Sequence, residues 1–179
     1  LLVAARKLGP APGLRGIVYE TLFGLLATTG MRISEALALT NADVDLKQGM
    51  LTIHQTKFGK SRQVPLHPST VDALRHYRAR RDLVGISVQD EAPFFVGTRG
   101  RRRGTPLGDR QVHRVFIELR ERLGWRNRGT HHAPRIHDLR HTFVVRRIVL
   151  WQAQGVDVDQ AMLSLSTYVG HAMVTNTYW

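Results

Sequence analysis

Val44-Asp45-Leu46-Lys47-Gln48-Gly49-Met50-Leu51-Thr52-Ile53-His54-Gln55-Thr56-Lys57-Phe58-Gly59-Lys60-Ser61-Arg62-Gln63-Val64-Pro65-Leu66 is the stretch in which the hydrophobic period changes from helical to alternating. Residues 44–46, 51–54 and 62–66 read as three short antiparallel strands, because apolar side chains at every second position bury one face of a sheet. Lys47-Gln48-Gly49 supplies the first turn, and Lys57-Phe58-Gly59-Lys60 a basic hairpin tip. Ahead of the strands, Ile17, Val18, Leu22, Phe23, Leu25 and Leu26 predict a buried helix over 17–28 that stops at Gly30, where a left-handed residue costs no Cβ clash. A second helix from Ile33 carries Leu37 and Leu39 inward. Gly9, Pro10, Pro12 and Gly13 make residues 1–13 a linker into a domain spanning 14–179.

Beyond the strands, Val71, Leu74 and Tyr77 mark a helix after Pro68 that ends before Gly85. The glycine- and arginine-rich residues 97–104 read as a mobile loop, and Asp109 is placed to cap the helix carrying Val112, Val115, Phe116 and Leu119. Residues 126–135 are basic and irregular. Pro134 leads into a long helix from about His137 to Trp151, followed by a helix over 158–165 and a terminal one after Gly170. The expected class is α+β, mostly helical with one small three-stranded antiparallel sheet.

Composition narrows the chemistry. The 179 residues contain no Cys, which excludes a disulfide framework, thiolate metal sites and cysteine nucleophiles. No apolar run reaches the ~18 residues of a spanning helix, so a cytoplasmic protein with no membrane partner is expected. The formal charge is +12, from 26 Lys plus Arg against 14 Asp plus Glu. Most of that excess lies in residues 99–147, where Arg supplies every basic charge other than histidine. Guanidinium forks grip phosphates in pairs of hydrogen bonds, so nucleic acid is the leading partner, with a merely soluble basic surface or an anionic lipid as the alternatives.

Four segments carry potential chemistry: Thr29-Gly30-Met31-Arg32-Ile33-Ser34-Glu35-Ala36-Leu37, the Lys57 hairpin, His137-Asp138-Leu139-Arg140-His141-Thr142-Phe143, and Val169-Gly170-His171 followed by Tyr178. Each has a plain structural explanation when taken alone. Arg32 can pair with Glu35 three residues on, Lys57 can be a solvated charge, His171 a cap or core histidine and Tyr178 a packed aromatic. His137 and Arg140 share a helical face and can point at one anion.

Their order and spacing resemble the tyrosine recombinases, the phage-integrase-like site-specific recombinases, over nearly the whole chain. Arg32 in Thr-Gly-Met-Arg-Ile-Ser-Glu matches that family's first catalytic arginine, and Lys57 its β-hairpin lysine. His137 and Arg140 match the His-x-x-Arg box, and His171 the Gly-His pair. The family's usual tyrosine, counted from His171 or Thr177, falls one place beyond Trp179. Tyr178 is therefore a candidate nucleophile in a variant spacing, or the neighbour of one lost to truncation.

The resemblance implies the C-terminal catalytic domain of a DNA strand-exchange enzyme, with residues 1–13 leading from an N-terminal core-binding domain. The partner implied is double-stranded DNA, bound by a homotetramer that is monomeric without DNA, in integration, excision or movement of a mobile element. Arg32 and Arg140 are expected to clamp the nonbridging oxygens of the scissile phosphate, where charge grows in the transition state. His137 and His171 add hydrogen bonds, a tyrosine hydroxyl attacks phosphorus, and Lys57 protonates the leaving 5′-oxygen. A 3′-phosphotyrosyl intermediate keeps the bond energy, so the resemblance implies no cofactor, metal or ATP. Lys60, Arg62, Arg101, Arg102, Arg103 and Arg135 are expected on the DNA backbone. The rivals are a type IB topoisomerase, a metal-dependent phosphohydrolase using His137, Asp138 and His141, and a DNA-binding module without catalysis.

Overall fold

The computed structural model describes residues 1–9, 13–54, 61–86 and 88–170. Its elements run α1 (Leu2–Arg6), α2 (Leu14–Thr29), α3 (Ile33–Ala38), β1 (Val44–Asp45), β2 (Met50–Ile53), β3 (Arg62–Pro65), α4 (Pro68–Asp82), α5 (Asp109–Arg122), α6 (Asp138–Ala153) and α7 (Val158–Val169). The class is α+β, as the element pattern predicts.

Helix α2 is the spine. Val18, Tyr19, Leu22, Phe23, Leu25 and Leu26 are all buried, so the helix is apolar nearly all round and packs against α1, α4 and α6. Phe23 meets Phe116 of α5 edge-on at 5.7 Å, a preferred aromatic geometry. The sheet has the order β1-β2-β3, antiparallel throughout, with Val44 opposite Leu51, Leu51 opposite Val64 and Ile53 opposite Arg62. Val44, Leu51, Ile53 and Val64 share the buried face. Side chains two apart lie on the same face, so Arg62 shares that face with Val64 and stands at its end. A second, smaller cluster of Val144, Met162, Leu165 and Val169 joins α6 to α7, and Tyr168 bridges it to the main core.

Four local expectations change. The opening residues hold a helical turn whose Ala5, with Leu8 beyond it, is buried in the main core, so the first part of the expected linker is packed. Residues 97–104 form a tight turn rather than a loose loop: the Gly97 amide donates to the Thr105 carbonyl at 2.9 Å and the Gly104 amide to the Gly97 carbonyl at 3.0 Å, around a 3-10 turn at Gly100–Arg102. Asp109 is the first residue of α5 and not its cap; Gly108 takes the cap position. Helix α7 runs to Val169 because Leu165 and Val169 continue its apolar stripe. The terminal helix expected after Gly170 lies outside the described residues.

Candidate active site

The site forms where the α2–α3 turn meets the end of β3, the start of α6 and the end of α7. Gly30 closes α2 in the left-handed conformation (φ 61°), its amide donating to the Leu26 carbonyl. It is needed twice over, since a Cβ there would also lie 2.5 Å from Cδ1 of Phe143 on α6. The close approach draws α6 onto the turn, and Nη1 of Arg140 donates to the Gly30 carbonyl at 2.6 Å. Just beyond Gly30, Arg32 opens α3. Its amide donates to Oε2 of Glu35 at 2.8 Å and its Nη1 to Oε1 at 2.9 Å.

Glu35 is the hub. Besides Arg32 it accepts two bonds from Arg62, from Nη1 at 3.0 Å and Nη2 at 2.8 Å, a bidentate pair reaching in from the end of β3. Burial alone would push the Glu35 carboxyl up; the hydrogen bonds from Arg62 and the Arg32 backbone, with the Arg62 charge, outweigh it and hold the carboxyl below its ordinary range. The same two arginines also hold the end of α7. Nε of Arg62 donates to the Tyr168 carbonyl and Nη2 of Arg32 to the Gly170 carbonyl, each at 3.0 Å. Carbonyls in the last turn of a helix lack helical partners, so these cations complete them.

Arg140 differs from both. It is 5% exposed, its Nη1 is spent on Gly30, and its buried Nη2 has no hydrogen-bond partner among the described residues. Burial, then the charge of Arg32 with a further push from Arg62, lowers its pKa to about 10, against the pull of Glu35. Three guanidiniums therefore gather around a single carboxylate. His137, one turn before Arg140, has its pKa lowered by burial first and by Arg140 next, with Arg135 and Arg32 adding and Asp138 opposing. The shift favours the neutral ring, which can accept a proton or donate one hydrogen bond.

Of the expected catalytic set, Arg32, His137 and Arg140 come together here. Lys57, His171 and Tyr178 lie outside the described residues; Gly170, which immediately precedes His171 in the chain, is held by Arg32. Of the expected DNA contacts, Arg101 and Arg102 are exposed on the 3-10 turn, Arg103 is exposed just after it with Nη2 donating to the Val84 carbonyl, and Arg135 is exposed beside Asp138. Lys60 is outside the described residues. Arg62 departs from expectation: its side chain is 11% exposed and turned inward on Glu35, because its place in the strand alternation puts it on the core face with Val64. That alternation is the signal in the sequence that could have found it. The role of Glu35 as a hub is invisible there, since one of its two partners is remote in sequence. Among the described residues no three His, Asp or Glu side chains gather within reach of one ion. Nor is any helix there long and apolar enough to cross a membrane.

The sequence pattern of the phage integrase family matches residues 6–177, and the chain belongs to that family. It is 42% identical over 167 residues to a putative integrase/recombinase, y4rB, of Sinorhizobium fredii, covering 93% of this chain and 52% of the relative. It is 32% identical over 167 residues to the tyrosine recombinase XerC of Thermodesulfovibrio yellowstonii, covering 88% and 48% respectively. Among solved structures, that of XerA recombinase superimposes with a TM-score of 0.70 at 25% identity, over 99% of this chain and 54% of that one. The fold is also that of XerH site-specific recombinase in a post-cleavage complex with its difH substrate, at a TM-score of 0.68 and 23% identity, over 98% of this chain and 45% of that one. The chain thus spans about half the length of the relatives it matches.

Proposed function

We propose that this chain is the catalytic domain of a site-specific DNA recombinase, which cuts and rejoins strands by transesterification at a tyrosine. The observation that carries the reading is Arg140: a guanidinium buried beside two others, with an Nη2 that has no partner among the described residues. A buried unsatisfied donor is costly, and so is a cluster of like charges. Both costs are relieved by an anion whose oxygens reach Arg140 and Arg32 together, and a phosphodiester has two such oxygens on one phosphorus.

In the reaction, Arg32 and Arg140 hold the nonbridging oxygens and oppose the charge that grows on them as phosphorus becomes five-coordinate. His137, whose surroundings favour the neutral ring, is suited to take the tyrosine proton as the new bond forms. The hydroxyl oxygen of Tyr178 attacks phosphorus, the bond to the 5′-oxygen breaks, and Lys57 returns a proton to that leaving oxygen. The 5′-hydroxyl of a second strand then attacks the phosphotyrosine and releases the enzyme. His171 adds a hydrogen bond to the phosphate. The exposed Arg101, Arg102, Arg103 and Arg135, with Lys60, suit the flanking DNA backbone. Four copies acting in pairs on double-stranded DNA complete an exchange.

The test uses a randomised library of duplexes nicked next to each candidate phosphate, so that the short cleaved strand diffuses away and traps the intermediate. A covalent adduct stable to SDS and EDTA, absent in Tyr178→Phe and Arg140→Ala, is the expected result. Retention of the adduct in Arg140→Ala overturns the clamp, and its loss with EDTA overturns the metal-free chemistry.

A further inference from the structure

Arg62 sits in a closed ring of contacts. It bridges both oxygens of Glu35 and the Tyr168 carbonyl, while Arg32 bridges Glu35 and the Gly170 carbonyl, so the two arginines share a carboxylate at one end and one helix terminus at the other. The ring is crowded at Gly170 (φ 72°), where a Cβ would lie 2.6 Å from Nη1 of Arg62. Around it, Tyr168 stacks on Phe143 at 5.8 Å between centroids, and its hydroxyl donates to the Pro65 carbonyl of β3 at 3.3 Å. The end of α7 is therefore tied to the sheet and to α6 by independent contacts, and Arg62 is the side chain that transmits its position to Glu35.

We propose that Arg62 is a positioning residue of the phosphate site, rather than a DNA-backbone contact: it holds Glu35 so that Arg32 faces the phosphate, and it holds the turn at Gly170 that leads to His171. Glu35 has two oxygens and, among the described residues, two hydrogen-bonded cations, Arg32 and Arg62. Without Arg62 both oxygens are left to Arg32, which is then drawn off the phosphate, and the Tyr168 carbonyl loses its donor. A lysine at the same place has one point of charge and cannot span the carboxylate and the carbonyl together. The proposal rests on the anion site assigned above, and it adds that the fidelity of that site depends on where α7 ends.

The experiment keeps the two ideas apart. The full chain is titrated with thymidylyl-3′,5′-thymidine, which carries a single phosphodiester, while the His137 ring resonances are followed by NMR. A separate titration with a random-sequence 30-base-pair duplex gives the salt dependence of binding. Absence of any His137 response in the unsubstituted chain removes the anion site itself and this proposal with it. Given that response, Arg62→Met is expected to weaken the dinucleotide on the order of tenfold, as the removal of outer partners of metal ligands does, while the duplex salt slope stays the same. Unchanged dinucleotide affinity, or a slope flattened by about 0.9, the signature of one fewer neutralised phosphate, overturns the positioning role and leaves the anion site standing. Arg62→Lys gives the same two readings if the methionine variant does not fold. Gly170→Ala, which pushes on Arg62 from the other side, is expected to weaken the dinucleotide as well; full affinity there counts against the ring.

Discussion

The arginines gathered at the α2–α3 turn and the exposed arginines of the 100–102 turn are one residue type in opposite circumstances. Arg32 and Arg62 share the Glu35 carboxylate, and Arg140 is fixed on the Gly30 carbonyl beside them. Arg101 and Arg102 stand in solvent on a short turn, where their charge is screened. The lesson is that a basic region of high charge density divides by burial into two jobs. Enclosed guanidiniums can act on charge that develops at one atom, whereas solvated ones can attract a polyanion along its backbone.

The largest expected effect tests the enclosed side of that contrast. Arg140→Ala should slow formation of the covalent adduct on the order of 10²–10³-fold, the cost of removing a donor to a developing oxyanion, while duplex affinity falls only modestly. Measured by single-turnover quench, a loss confined to affinity would erase the distinction between the two regions. Next in size is Gly30→Ala. It asks an L-residue to adopt φ 61° and drives a methyl to within 2.5 Å of Phe143, so unfolding in urea should show a loss of about 1–3 kcal/mol. Stability within error of the parent would mean that α6 does not depend on close approach to this turn.

The exposed side is tested by replacing Arg101, Arg102 and Arg103 with Gln. Duplex binding should weaken and its logarithmic salt slope flatten by about 0.9 for each phosphate that is no longer neutralised, with the rate of the bound complex unaltered. An unchanged slope would take this turn off the DNA. Smallest is the pH effect of His137. Its folded pKa lies below the ordinary 6.5, so the unfolded chain binds the proton more readily. The stability contributed is complete above that ordinary value and is lost as pH falls through the folded one. Urea midpoints compared from neutral to mildly acidic pH should drop for the parent and drop less for His137→Gln; equal slopes would place the ring in an ordinary aqueous setting. A bound diester should reverse the sign of the shift and raise the His137 pKa.

Much of this is legible without coordinates. The alternation at 44–66, the glycine stop at Gly30 and the apolar stripes of α2, α4 and α5 are nearest-neighbour patterns, and local periodicity reports them directly. The spacing of His137 and Arg140 on one helical face is local in the same sense, and both do face the cluster. The departures also share a cause. Residues 97–104 read as loose because glycine and arginine favour loops, yet amide-to-carbonyl bonds across the turn close it. Ala5 and Leu8 read as part of a linker because their burial comes from α2, several residues further on.

Arg62 marks the boundary between the two kinds of knowledge. Its charge, its place on a strand and the side of the sheet it occupies follow from the order of residues, because a β-strand has a period of two whatever surrounds it. Its partners do not. Glu35, Tyr168 and the company of Arg32 and Arg140 were decided by packing: Gly30 lets α6 come close, Phe143 and Tyr168 seat α7, and only then do guanidiniums from separate stretches of chain face a common point. Covalent order sets which groups are available and which way each element presents them; desolvation and contact among distant elements set which charges are shared and which one is left seeking an anion.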